Sequence, residues 1–269
     1  MTRHGSTRLP TFFISHGGGP WPWIDEMRAM FAGSARWLAA LPQTLPSTPK
    51  AILSVTGHWE ASEFTVGTSA QPPMVYDYSG FPEHTYHIRY PAPGSPAIAD
   101  RVRLLLTEAG IRCDTDATRG FDHGTFVPLH VMYPEATIPV VQLSIKRSLD
   151  PRDHLHAGTA LKPLRDEGVL IVGSGLSYHN MRGFRGGGGP ASVAFEQWLT
   201  SAVSEPNIAT RNSRLLAWEQ APAARSSHPR EDHLIPLMVA AGAAGDDPGR
   251  RDFLDNAMGV VMASYRFGA

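Results

Sequence analysis

The chain has 269 residues, 42% hydrophobic and 18% charged, with 24 basic and 25 acidic side chains and a formal net charge of −1. That is enough apolar material for one large α/β domain or two small ones, and without a basic surplus neither nucleic acid nor an anionic membrane surface is an expected partner. A single cysteine, Cys113, allows no internal disulfide, no segment approaches the roughly 20 apolar residues of a transmembrane helix, and the apolar run after Arg3 and Arg8 is too short for a signal peptide, so a cytoplasmic location is expected.

In chain order, 11–15 reads as a short buried strand ending at His16, and 23–41 carries helical spacing closed by Pro42, Pro46 and Pro49. Residues 51–55 form a second apolar strand, followed by Thr56-Gly57-His58, and 63–69 alternates as a third. Residues 71–94 mix five prolines with Tyr76, Tyr78, Phe81, Tyr86 and Tyr90, which predicts a long ordered loop or lid. Ser95 is placed to cap a helix ending at Gly110. Strands follow at 111–115 and 138–145, the first carrying Cys113 in a packing role. A helix over 150–164 leads to a buried strand at 169–172, and then come Gly173-Ser174-Gly175 and Ser177-Tyr178-His179. A glycine run occupies 186–189, helices are expected at 191–203, 207–218 and 233–244, and 259–267 returns as a last strand. This alternation, with no biased linker and no repeat, predicts one α/β domain over 1–269, its mostly parallel or mixed central sheet flanked by helices.

Ligands of open α/β sheets bind outside the carboxyl ends of the strands. His16, His58 and His179 are all delivered to that edge, which suggests a metal or acid–base site. The blander reading of each is a polar residue closing a strand. His123, in Phe121-Asp122-His123-Gly124, reads equally as a surface turn or a pocket wall. In Ser227-His228-Pro229-Arg230-Glu231-Asp232-His233, two imidazoles and two carboxylates offer a further ligand, against the alternative of an acidic first helical turn. Residues two apart on a helix do not face each other, so Glu231 and His233 are not expected to hold one ion together. His4, His84, His87, His130, His154 and His156 are given no role, the last two on a surface helix. His16-Gly17-Gly18-Gly19 matches the oxyanion segment of lipases, but no Gly-x-Ser-x-Gly elbow occurs, which disfavours a serine hydrolase.

Together, Ser15-His16-Gly17-Gly18-Gly19-Pro20, Thr56-Gly57-His58-Trp59-Glu60, the 76–82 and 90–94 segments, Asp122-His123-Gly124, Gly173-Ser174-Gly175, His179-Asn180 and the 228–234 cluster resemble the class III extradiol ring-cleaving dioxygenases, in their DOPA-dioxygenase-like branch. The resemblance runs in order over nearly the whole chain. It implies that His16, His58 and His233 bind the metal, with His233 preferred to Glu231 and His228 standing behind it. It further implies that His179 moves protons and that His123 lines the substrate site. Fe(II) is the implied metal, with Zn(II) also suited to three imidazoles. A small aromatic diol and O2 would be the partners, the ring opening to a muconic semialdehyde, and a homo-oligomer is left open. The alternatives are a zinc hydrolase on the same ligands and a Memo-like binding protein without activity.

Overall fold

The structure, a computed structural model, describes residues 8–269, so Arg3 and His4 lie outside the described residues. Eight strands form one sheet: β1 (Thr11–Ser15), β2 (Ala51–Ala61), β3 (Phe64–Gly67), β4 (Cys113–Asp116), β5 (Val140–Lys146), β6 (Val169–Gly175), β7 (Gly249–Ala257) and β8 (Val260–Phe267). Their order is β4-β3-β5-β2-β6-β1-β8-β7. The middle four, β5-β2-β6-β1, are mutually parallel, and antiparallel pairings join β3 to β5, β1 to β8 and β7 to β8. This is the expected α/β mixed sheet.

Ten α-helices connect the strands: α1 (Asp25–Met30), α2 (Ala32–Ala40), α3 (Pro96–Glu108), α4 (His123–Met132), α5 (Pro151–Leu161), α6 (Pro163–Asp166), α7 (Gly189–Val203), α8 (Ile208–Leu216), α9 (Ala224–Ser227) and α10 (Pro236–Ala244). Both sheet faces are covered, because successive side chains of a strand point to opposite faces. Phe13, Leu53, Val55 and Ile171 pack in one core with α3, α5, α7 and α10. Phe12, Ile14, Ile52 and Val172 pack in the other with α2 and α4.

Several expected elements differ in extent. The helix expected over 23–41 is broken at Phe31, whose backbone leaves the helical region (φ −100°, ψ 20°) and buries the ring. Pro163 ends the 150–164 helix early and begins α6. Helix α10 starts at Pro236, so His233 precedes it and Glu231 and Asp232 are not its first turn. Strand β2 runs on to Ala61, so His58 lies within a strand rather than past its end. Its pairing with β6 stops at Thr56 and its register with β5 shifts between Val55 and Glu60. His154 is fully buried on α5 rather than on a surface, whereas His156 is exposed. Strand β7 and helix α4 were not expected. No helix of the described residues is long and apolar enough to cross a membrane.

Candidate metal centre

The carboxyl ends of β1, β2 and β6 meet at one edge. The His16 amide donates to the Gly175 carbonyl (3.0 Å), which carries the β1–β6 pairing one step past the strands. The Leu176 amide then donates to the His233 carbonyl (3.0 Å), drawing the segment before α10 onto the same edge. Two glycines allow that approach. A Cβ at Gly175 would overlap the His233 carbonyl, and one at Gly57 would lie 2.8 Å from the Asp232 carbonyl oxygen.

Three ring nitrogens converge there. His58 Nε2 lies 3.2 Å from His16 Nε2 and 3.1 Å from His233 Nε2. The opposite nitrogen of each ring is fixed. The Ser174 hydroxyl gives its one proton to the Gly124 carbonyl, so at 3.0 Å it accepts from His16 Nδ1. Nδ1 of His233 donates to Asp232 Oδ2 (2.6 Å), and Nδ1 of His58 faces Asp77 Oδ2 (3.2 Å). With protons held on the Nδ1 side, three Nε2 lone pairs point at one another, an arrangement that calls for a cation between them. Nitrogens each about 2.0–2.1 Å from one metal ion, at tetrahedral or octahedral angles, lie roughly 2.9–3.4 Å apart. The two spacings from His58 Nε2 fall in that range, and the His16 and His233 ring centroids lie 5.4 Å apart.

Protonation does not compete with this role. Burial, with the neighbouring imidazoles, pushes His16 and His58 well below the ordinary histidine range. Burial also takes His233 down to about 4. Asp232 is pushed up by its own burial, but hydrogen bonding to His179 and His233 outweighs this and holds it far below the usual carboxylate range. Asp77 is held down in the same way, mainly by its hydrogen bond from His123.

Two further imidazoles flank the three. The first residue of α4, His123, is buried rather than in a surface turn. Asp122 caps the helix through the Thr125 amide, and Asp77 Oδ1 accepts from both the His123 amide (3.0 Å) and Nδ1 (2.9 Å). The ring stands 4.0 Å from that of His58, and His16, His58 and His123 also offer nitrogens within 4.8 Å of one another. The ring of His179 stacks on that of His233 at 3.5 Å, with Nδ1 3.8 Å from Asp232 Oδ1.

Not everything in the sequence cluster joins the site. Glu231 pairs with Arg225 (2.6 Å), away from the imidazoles. His228 is fully buried against Phe195 and Trp218, where its Nε2 donates to the Ser177 carbonyl (3.0 Å) and supports the chain entering His179. Burial takes it down to about 3. His84 and His87 are exposed in the 71–94 loop. That loop is tied down, Tyr76 donating to the Ile88 carbonyl and Tyr78 to the Thr85 carbonyl (both 2.6 Å). Of the groups that orient the rings, Asp232 is one of the two carboxylates that the sequence offers as a further ligand, whereas Asp77 and Ser174 are not singled out from sequence. Asp77 and Ser174 lie in quoted motif segments, which was the available signal.

The five imidazoles line one cavity of about 340 Å³, with Gly17, Gly18, Tyr78 and Phe81 among its other walls. The site offers a facial set of three nitrogens, two more imidazoles and an apolar enclosure.

The family described as the catalytic LigB subunit of aromatic ring-opening dioxygenase matches residues 10–268. The chain is 40% identical over 265 residues to the 4,5-DOPA dioxygenase extradiol of Beta vulgaris, covering 96% of each chain. It is 35% identical to the dioxygenase tasH of Hapsidospora irregularis, covering 98% of this chain and 87% of that one. It is likewise 35% identical to the 4,5-DOPA dioxygenase extradiol of Escherichia coli (strain K12), covering 90% and 88%. A crystal structure of an uncharacterized protein from Escherichia coli K12 superposes with a TM-score of 0.79 at 30% identity, covering 97% of this chain and all of that one.

Proposed function

The chain belongs to the LigB family of aromatic ring-opening dioxygenases and is an extradiol ring-cleavage dioxygenase, and on that premise we propose that it opens the ring of a catechol-type substrate with O2, using Fe(II) held by His16, His58 and His233. The observation that carries the reading is the convergence of three Nε2 lone pairs, each with its opposite nitrogen fixed by Ser174, Asp77 or Asp232. Three nitrogens on one face leave the opposite positions open. Fe(II) held there by His16, His58 and His233 would supply the Lewis-acid and O2-activating chemistry that ring opening needs.

The protein's own groups supply the rest. His179 takes a proton from a diol hydroxyl as the substrate docks and returns one to the opening ring, the general acid–base work that an imidazole within reach of the reacting oxygens performs. Stacking on His233, with Asp232 beside Nδ1, fixes that ring in the cavity wall. His123, locked by Asp77, presents its other nitrogen to the substrate oxygens or to O2. Tyr78 and Phe81 close over the flat ring and exclude water.

The test is anaerobic loading with excess Fe(II), since zinc stands above Fe(II) in the affinity order, followed by a catechol panel in air. The expected outcome is the absorbance of a muconic semialdehyde. Metal analysis of single alanine variants accompanies it: His16→Ala, His58→Ala and His233→Ala lose the ion, and Glu231→Ala keeps it. No ring opening by the loaded protein overturns the reading. Hydrolysis by a zinc-loaded sample would replace it.

A further inference from the structure

We propose that the outer part of the cavity is a subsite for an uncharged, apolar ring substituent, so that the substrate is a neutral alkyl- or aryl-bearing catechol rather than a catechol amino acid. The inference rests on the ring-opening reading for the diol end of the substrate, and on the cavity wall for the other end.

Beyond the histidines, the wall is built from Met27, Phe81, Met181, Phe184, Met258 and Met262. These come from α1, the 71–94 loop, the segment after β6 and the β7–β8 hairpin, so distant parts of the chain converge on one chemistry. No Lys, Arg, Asp or Glu of the described residues lines the cavity. Four charged side chains packed around the imidazoles are engaged by other groups. Asp77 and Asp232 serve imidazoles, Arg119 spends its guanidinium on Asp122 and the His58 carbonyl, and Arg230 pairs with Glu60. The Tyr78 hydroxyl is turned to the Thr85 carbonyl, leaving its ring to the cavity.

Two of the six are exposed without a ligand: Met181 at 63% and Met258 at 38%. Met258 also sits at the tip of a two-residue hairpin loop with φ +57°, a region that favours asparagine or glycine. Neither burial nor turn geometry accounts for a methionine there. Contact with an apolar ligand does. An unbranched, polarizable side chain adapts to substituents of different shape. An ammonium or carboxylate entering this wall would shed water with no charged side chain among the described lining residues to replace it. Each methylene buried instead tightens binding about four-fold.

The experiment is calorimetric binding to the Fe(II)-loaded protein without oxygen, followed by admission of air. The probes are 4-methylcatechol, 4-propylcatechol, 3,4-dihydroxyphenylpropionate and L-DOPA. The expected result is a Kd that falls about four-fold with each added methylene, and L-DOPA bound at least about ten-fold more weakly than 4-propylcatechol. Met258→Arg, at an exposed tip, shifts the preference toward 3,4-dihydroxyphenylpropionate. L-DOPA bound as tightly as 4-propylcatechol, or an affinity flat along the alkyl series, overturns the subsite; ring opening of L-DOPA would in that case leave the reaction standing. The expected binding order with no ring opening in air supports the subsite and sinks the reaction.

Discussion

At the scale of single residues, the centre depends on which ring nitrogen carries the proton. A hydroxyl has one proton, and Ser174 commits it to Gly124, so His16 must donate to Ser174 and keep Nε2 bare. Partners of this kind set ligand orientation and basicity, and losing one typically weakens metal binding 10–100-fold. Ser174→Ala is therefore expected to lower Fe(II) or Zn(II) affinity by about ten-fold or more in a competitive chelator titration; unchanged affinity would remove Ser174 from the site. His179→Ala is a separate case. It leaves the three nitrogens intact, so metal content should hold while kcat falls by about 10²–10⁴. Metal loss would make His179 structural. The five imidazoles were legible in the sequence because each follows or sits in a motif at a strand end or loop. Their partners were not. Asp77 lies 46 residues from His123, and Ser174 lies 158 from His16. Asp232, adjacent to His233, is read from sequence as a ligand or part of an acidic helix turn, and the structure instead places it before α10 as the acceptor for His233 Nδ1.

At the scale of elements, α4 shows why a helix can hide. It is apolar nearly all round and carries Pro128 in its interior, which breaks the usual signal. The proline also has a use. Lacking an N–H, it leaves the carbonyl four residues back, Gly124, without its helical donor, and that carbonyl takes the Ser174 hydroxyl instead. Strand β7 escaped notice because it is an edge strand with Arg250, Arg251, Asp252 and Asp255, and a register shift after Arg251 interrupts its alternation. Helix α10 is the element most exposed to a single change. All nine of its residues are buried, so its terminal carbonyls need donors that water cannot supply. Arg165 bonds Ala243 and Ala244, and Arg211 bonds Ala241, Gly245 and Asp247. Arg211→Met leaves the buried Ala241 carbonyl unsatisfied and takes the donor from the half-buried Gly245 and Asp247 carbonyls. The expected loss is about 3 kcal/mol, seen as a thermal midpoint lower by roughly 6–12 °C, with metal content unchanged in the folded fraction. A midpoint within a degree or two of the wild type would show that other groups satisfy α10.

At the scale of the whole molecule, two buried histidines outside the ring of imidazoles couple folding to pH. On α5, Nδ1 of His154 donates to the Asp150 carbonyl (2.7 Å) and Nε2 accepts from the Lys146 amide (2.9 Å). A proton on Nε2 would set two donors against each other. Burial accordingly takes His154 down to about 4 from an ordinary 6.5, and takes His228 down to about 3. Both folded-state values are depressed, so the folded protein stays neutral at these sites while the unfolded chain takes up protons below about pH 6.5. The unfolded state then binds more protons, and stability falls with pH from about 6.5 toward 4. Each site contributes up to about 1.4 kcal/mol per pH unit across that window, so the pair contributes about 4 kcal/mol by pH 5. Domains are commonly stable by only about 5–15 kcal/mol, so a large fraction of the stability at pH 7.5 is expected to be lost by pH 5. Urea denaturation at pH 7.5, 6.0 and 5.0 measures the slope, and His154→Leu should reduce it by about half while lowering stability at pH 7.5, since it strands the Lys146 amide. Stability flat between pH 7.5 and 5.0 would mean that these imidazoles gain protons without unfolding. The α5 contact would then have to rearrange around a charged ring.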